Sequence, residues 1–156
     1  MDKELILRWL HIIGACVLLG TGAGIAFFMM MAHRSGNAAL IAGTARIVVI
    51  ADMVFTATTV VAQPLTGWLL AREIGWELTE GWILASLALY VLTGVCWLPV
   101  VRIQTILRDL AREAAESGTE LPARYHRLYR LWFVLGIPTF TAVMAILWLM
   151  IARPDF

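Results

Sequence analysis

Four long blocks with almost no charge constrain this chain more than any other feature. They run about Leu5–Met31, Ile47–Leu70, Trp82–Val101 and Leu131–Ile151. A helix needs about 20 apolar residues to cross a hydrocarbon core of about 30 Å, and each block meets that length. Backbone groups in lipid must be paired within their own segment, which selects helices over an open sheet. Composition agrees, with 61% hydrophobic and 15% charged residues, far from the balance of a soluble domain. The expectation is an all-α polytopic membrane protein, a single four-transmembrane-helix domain over residues 1–156. Its surroundings are the lipid bilayer of a bacterial inner membrane, with a homo-oligomer or a larger membrane complex as the possible assembly.

The first block does not read as a cleaved signal peptide, because Met1-Asp2-Lys3-Glu4 is not basic and the apolar run is too long. Eight of the twelve basic residues (Arg34, Arg46, Arg102, Arg108, Arg112, Arg124, Arg127 and Arg130) fall in the connections after the first and third spans. The positive-inside rule places those two connections in the cytoplasm and both termini outside. Topology thus accounts for the arginines, and the net charge of +1 gives no reason to invoke nucleic acid. Trp68, Trp76 and Trp82, with Trp9 and Trp148 at similar depth, read as an interfacial belt. Cys16 and Cys96 lie in different spans at different depths and read as small core residues rather than a disulfide. Helical spacing continues through Ile103–Leu110, so the third helix projects from the membrane until Ser117-Gly118-Thr119 breaks it and Pro122 restarts the chain.

Within the spans, ionisable and polar residues are the costly ones. His11 stands near the start of the first helix, in line with Gly14, Ala15, Leu18 and Gly22. On the second, Asp52, Thr56, Thr59, Gln63 and Thr66 form one stripe, which should face the bundle interior or a partner subunit. The third answers with Ser86, Tyr90, Thr93 and Trp97, and the fourth aligns Arg130, Phe133, Ile137, Met144 and Trp148. By depth, His11 matches Gln63, Thr66, Ser86 and Trp148. His33, Asp52, His126 and Arg130 group near the cytoplasmic face, with Arg130, Arg34 or Arg46 as the expected ion-pair partner of Asp52. Pro64, Pro99 and Pro138 are expected to bend their helices.

Leu7-Arg8-Trp9-Leu10-His11-Ile12-Ile13 resembles the first-helix motif of the four-span clan that holds HemJ-type protoporphyrinogen oxidases and CopD-like membrane proteins. Gly81-Trp82-Ile83-Leu84-Ala85-Ser86-Leu87 is similar to the HemJ pattern Gly-Trp-Leu-His-Ala-Lys-Leu. Over nearly its full length the chain looks closer to a bacterial branch of that clan made of predicted integral membrane proteins. The resemblance implies haem b held by His11, with Arg8 pairing a propionate and Gly14 making room for the porphyrin. Ser86 stands where the HemJ lysine would ligate iron, and a hydroxyl is a poor iron ligand. The resemblance therefore implies a five-coordinate haem, or a sixth ligand from Met144, Met150 or a bound substrate, and it argues against protoporphyrinogen oxidation. The leading reading is a haem b protein with a redox or haem-handling role. The alternatives are a small transport protein titrating at Asp52 and His33 or His126, and an accessory subunit of a larger membrane complex.

The charge asymmetry carries its own test. A cysteine introduced at Thr119, in a background with Cys16 and Cys96 replaced, should resist an impermeant thiol reagent applied to intact cells. Labelling from outside would reverse the orientation.

Overall fold

The computed structural model describes residues 2–155. The elements are α1 (Lys3–Arg34), α2 (Ala38–Ala51), a wide turn at Asp52–Thr56, α3 (Ala57–Ile74), α4 (Gly81–Ser117) and α5 (Ala123–Ala152), with no strand among the described residues. Ala38–Ile74 runs on as one long apolar helix through the wide turn, so four helices are long and apolar enough to cross a membrane. Only 11% to 22% of each apolar stretch is buried within the protein. Side chains such as Ile47, Val61 and Ile151 point outwards, a surface that is stable only against lipid or another apolar partner.

The helices exceed the expected spans. The second begins at Ala38 instead of Ile47, because the connection from α1 is only Ser35-Gly36-Asn37. Asn37 caps it by accepting from the backbone N–H of Leu40 at 3.0 Å. The third helix does project past Val101 to Ser117, where Gly118 takes the left-handed conformation, φ 65°, that closes a helix without strain from a Cβ. Pro122 then precedes α5, and all three helices continue through Pro64, Pro99 and Pro138. On the projecting part of α4, the Arg108 guanidinium bonded to Asp109 holds that carboxyl below the usual carboxylate range. The pair is exposed enough that it contributes little to stability.

Packing is uneven along the bundle. At the arginine-rich end, α4 lies against both α5 and α2, and α1 closes on α2. The core there joins Met29, Ile41, Ala45, Leu107, Ala111 and Tyr125, all fully buried, with Trp132 beside them. Past the wide turn, the second span changes neighbours, and α3 packs chiefly against α1. Tyr90 of α4 donates its hydroxyl to the backbone oxygen of Val60, one tie across the gap that opens between α3 and α4. The half holding the termini is therefore the looser one.

That asymmetry predicts where truncation hurts. Leu107 is 0% exposed and Leu98 of the same helix is 66% exposed. Leu107→Ala should cost about 2–5 kcal/mol, while Leu98→Ala, which exchanges one lipid-facing apolar residue for another, should stay below about 1 kcal/mol. Unfolding of the two variants in detergent provides the comparison.

Candidate functional site

The loose half encloses a cleft. Two adjoining spaces, of about 410 and 270 Å3, share His11, Gln63, Leu70, Trp76, Trp82, Ile146 and Met150 in their walls. Ile12, Ala15, Cys16 and Leu19 of α1 extend the first, and Ser86, Leu87 and Tyr90 of α4 extend the second. Apolar walls with a few convergent polar groups are the usual make-up of a small-molecule site. Arg8 and Arg153 stand at the rim of the larger space, each already engaged. Arg8 pairs with Glu4 one turn away, and the Arg153 guanidinium lies 4.6 Å from the centre of the Trp76 ring.

His11 is held by α3. Its Nδ1 lies 2.9 Å from the Thr66 hydroxyl, and Gln63 donates its amide to the His11 backbone oxygen at 2.9 Å. Thr66 also lies 2.8 Å from the backbone oxygen of Ala62. A hydroxyl carries one proton, and a threonine in a helix ordinarily gives it to the carbonyl four residues back. That arrangement makes Thr66 the acceptor from His11 Nδ1–H, and this hydrogen-bond assignment leaves Nε2 as a lone pair. Among the described residues Nε2 has no hydrogen-bond partner. A bonded Nδ1–H with a free Nε2 is the tautomer that a metal-ligating histidine adopts.

Two glycines set this geometry. A Cβ at Gly67 would sit 3.1 Å from His11 Cε1, so the ring lies directly on the α3 backbone. A Cβ at Gly14 would collide with Gln63 Nε2. The space left by Gly14 is filled by that amide, and it is not the room for a porphyrin that the first-helix pattern suggested.

Other residues fall differently from their helical alignment. Ser86 is buried against the second space, its hydroxyl donating to the Trp82 backbone oxygen at 2.7 Å. Met144 is 46% exposed on the outer face of α5 and lines neither space, whereas Met150 lines both. Trp82 is buried in the cleft with its ring edge-on to Trp76 at 5.2 Å, so it leaves the interfacial belt. Trp9 and Trp148 stay exposed. Cys16 is exposed at the cleft instead of buried in a core, and both cysteines are free.

A second polar group occupies the arginine-rich half. Asp52, Thr56 and Thr59 are buried, while Arg130 of the proposed stripe is exposed. The expected ion pair does not form. Arg34, Arg46 and Arg130 all point to the surface, and Asp52 bonds instead to the Trp97 indole N–H at 3.4 Å. Gln104, its amide oriented to satisfy both neighbours, donates to the other Asp52 oxygen at 2.8 Å and accepts from Trp132 at 3.2 Å. Neutral donors reach this depth at smaller desolvation cost than a guanidinium. His33 and His126 do meet, with ring centres 5.9 Å apart, and His33 stacks on Tyr129 at 3.6 Å. No group of three or more His, Cys, Asp or Glu able to hold a metal ion occurs among the described residues.

Gly67, Trp76, Arg153 and Gln104 were not singled out by sequence as site residues. Gly67 continues the Thr59, Gln63 spacing at i+4 and could have been found there. Gln104 lies on the projecting helix, where polar residues ordinarily face water.

Residues 5–154 match the model of a family described as predicted integral membrane protein (DUF2269), and the chain belongs to that family. No curated protein and no solved structure matches it.

The contact between Gly14 and Gln63 can be tested by a mutant cycle. Gly14→Ala alone should cost about 1–3 kcal/mol from overpacking. In a Gln63→Ala background, where the obstructing amide is gone, most of that cost should vanish. Equal costs in both backgrounds, measured by unfolding in detergent, would separate the two residues.

Proposed function

We propose that this DUF2269 protein is a membrane-embedded haem b protein with a redox or haem-handling role, in which His11 Nε2 ligates the iron. The state of the His11 ring carries the reading. Nδ1 is fixed by Thr66, Nε2 is free, and the ring lines both spaces of the cleft. The first-helix resemblance to the HemJ and CopD-like clan supports the same ligand.

The surrounding residues fit such a group. Trp76, Trp82, Leu70 and Ile146 offer apolar walls for a macrocycle, and Arg8 and Arg153 at the rim offer cations for its carboxylates. Ser86 gives its proton to Trp82 and presents no strong ligand, while Met150 brings a thioether to both spaces. Bound haem would supply one-electron chemistry or a reversible site for a small iron ligand. The chain's own residues set the imidazole tautomer and orient the ring against Gly67. Orientation in a bacterial inner membrane with the arginine-rich end inside belongs to the same proposal.

The visible spectrum of protein purified from haem-replete cells, before and after dithionite, tests it. We expect a Soret band that imidazole, cyanide or carbon monoxide shifts readily. His11→Ala should lose the band while the protein still reaches the membrane, and Ser86→Ala should keep it. A wild-type protein without Soret absorbance, or full haem content in His11→Ala, would overturn the assignment.

A further inference from the structure

Asp52 is 3% exposed and no cation lies within ion-pair distance of it among the described residues. Each of its carboxylate oxygens instead faces one neutral N–H donor, Trp97 on one side and Gln104 on the other. Thr56, four residues further along the same helix and so on the same side of it, is 7% exposed and its hydroxyl has no hydrogen-bond partner. The backbone between them is a π-helical turn, in which the Ala57 N–H reaches back five residues to the Asp52 oxygen. Such turns are frequent at functional sites.

A carboxylate held only by neutral donors keeps a full negative charge out of contact with water, which is expensive. A metal cation would want oxygen ligands, and both donors aimed here are N–H groups. A proton needs neither space nor further ligands. On binding, it forms an O–H bond on the carboxyl, removes the charge and turns one oxygen into a donor that the unpartnered Thr56 hydroxyl can accept. We infer that Asp52 is a reversible proton-binding site buried at the arginine-rich end of the bundle, with Thr56 as the group that receives its hydrogen bond. This site is independent of His11 and stands whether or not haem is bound.

The surroundings hold little that could titrate in its place. Among the described residues α1, α2 and α3 bring no cation within 4 Å of the carboxyl, α4 brings Trp97 and Gln104, and α5 brings Trp132 through Gln104. The next titratable groups along this line are Tyr129, stacked on Trp132, and His33, stacked on Tyr129. The proton comes from water at the arginine-rich end and returns to it, so no other reactant is required.

Infrared difference spectroscopy of the full chain in lipid nanodiscs, titrated with pH in H2O and D2O, reads the site directly. We expect a carboxylic-acid carbonyl band that rises as pH falls, and that is missing from Asp52→Asn. Thr56→Val, which keeps the side-chain shape and removes the hydroxyl, should move the midpoint by about tenfold in proton concentration. A band that is constant across the accessible pH range, or that persists in Asp52→Asn, would overturn the proposal. Should Asp52→Asn fail to fold, the Thr56→Val difference spectrum decides alone, and an unmoved midpoint counts against the site.

Discussion

Because lipid offers no partner to a free backbone N–H or carbonyl, a membrane helix can redirect its faces midway by altering its hydrogen-bond ladder but not by leaving it open. The second span does this at Asp52–Thr56. Before the π-helical turn, α2 is committed to α4, and after it α3 is committed to α1. The tight core at one end and the cleft at the other both follow from that exchange. So does the position of Asp52, which sits at the joint with donors from α4 instead of in a regular helix face.

The two polar groups show how a bundle of this size tolerates what the bilayer disfavours. In the cleft, His11, Thr66 and Gln63 satisfy one another across α1 and α3, and the energy of each bond is modest in water-exposed terms but costly to leave unmade in hydrocarbon. At the joint, Trp97 and Gln104 each serve one oxygen of the Asp52 carboxyl, and Trp132 in turn donates to Gln104. Neither group uses a buried arginine. Two of the exposed ion pairs, Lys3 with Glu73 and Arg8 with Glu4, lie at helix ends and fix local geometry more than stability.

Much of the architecture was legible because lipid imposes a length and a polarity on each segment. The four apolar helices, the break at Ser117–Thr119 and the projection of α4 follow from hydropathy and turn chemistry. Depth along the spans also paired His11 with Gln63 and Thr66, since helix rise fixes level. Rotation and packing were less accessible. Helical alignment put Arg130 and Met144 on interior stripes, but a stripe on one helix cannot show which neighbour covers it, and both are exposed. The start at Ala38 was missed because Arg46 marked the end of the apolar run, although a helix extends past the bilayer as easily as within it. The role of Gly14 was misread for a similar reason: an absent side chain does not say what fills its place.

The uneven packing also bears on how a ligand would reach His11. The cleft is edged by Ile12, Leu87 and Ile151, all of which are exposed on the apolar surface, so its opening faces the acyl chains as well as the rim arginines. A sparingly soluble planar molecule partitions strongly into a leaflet, and its encounters there are a two-dimensional search at high local concentration. Its arrival rate at His11 would then follow the lipid-bound pool and the fluidity of the membrane, and would be nearly indifferent to the dissolved concentration in the water outside.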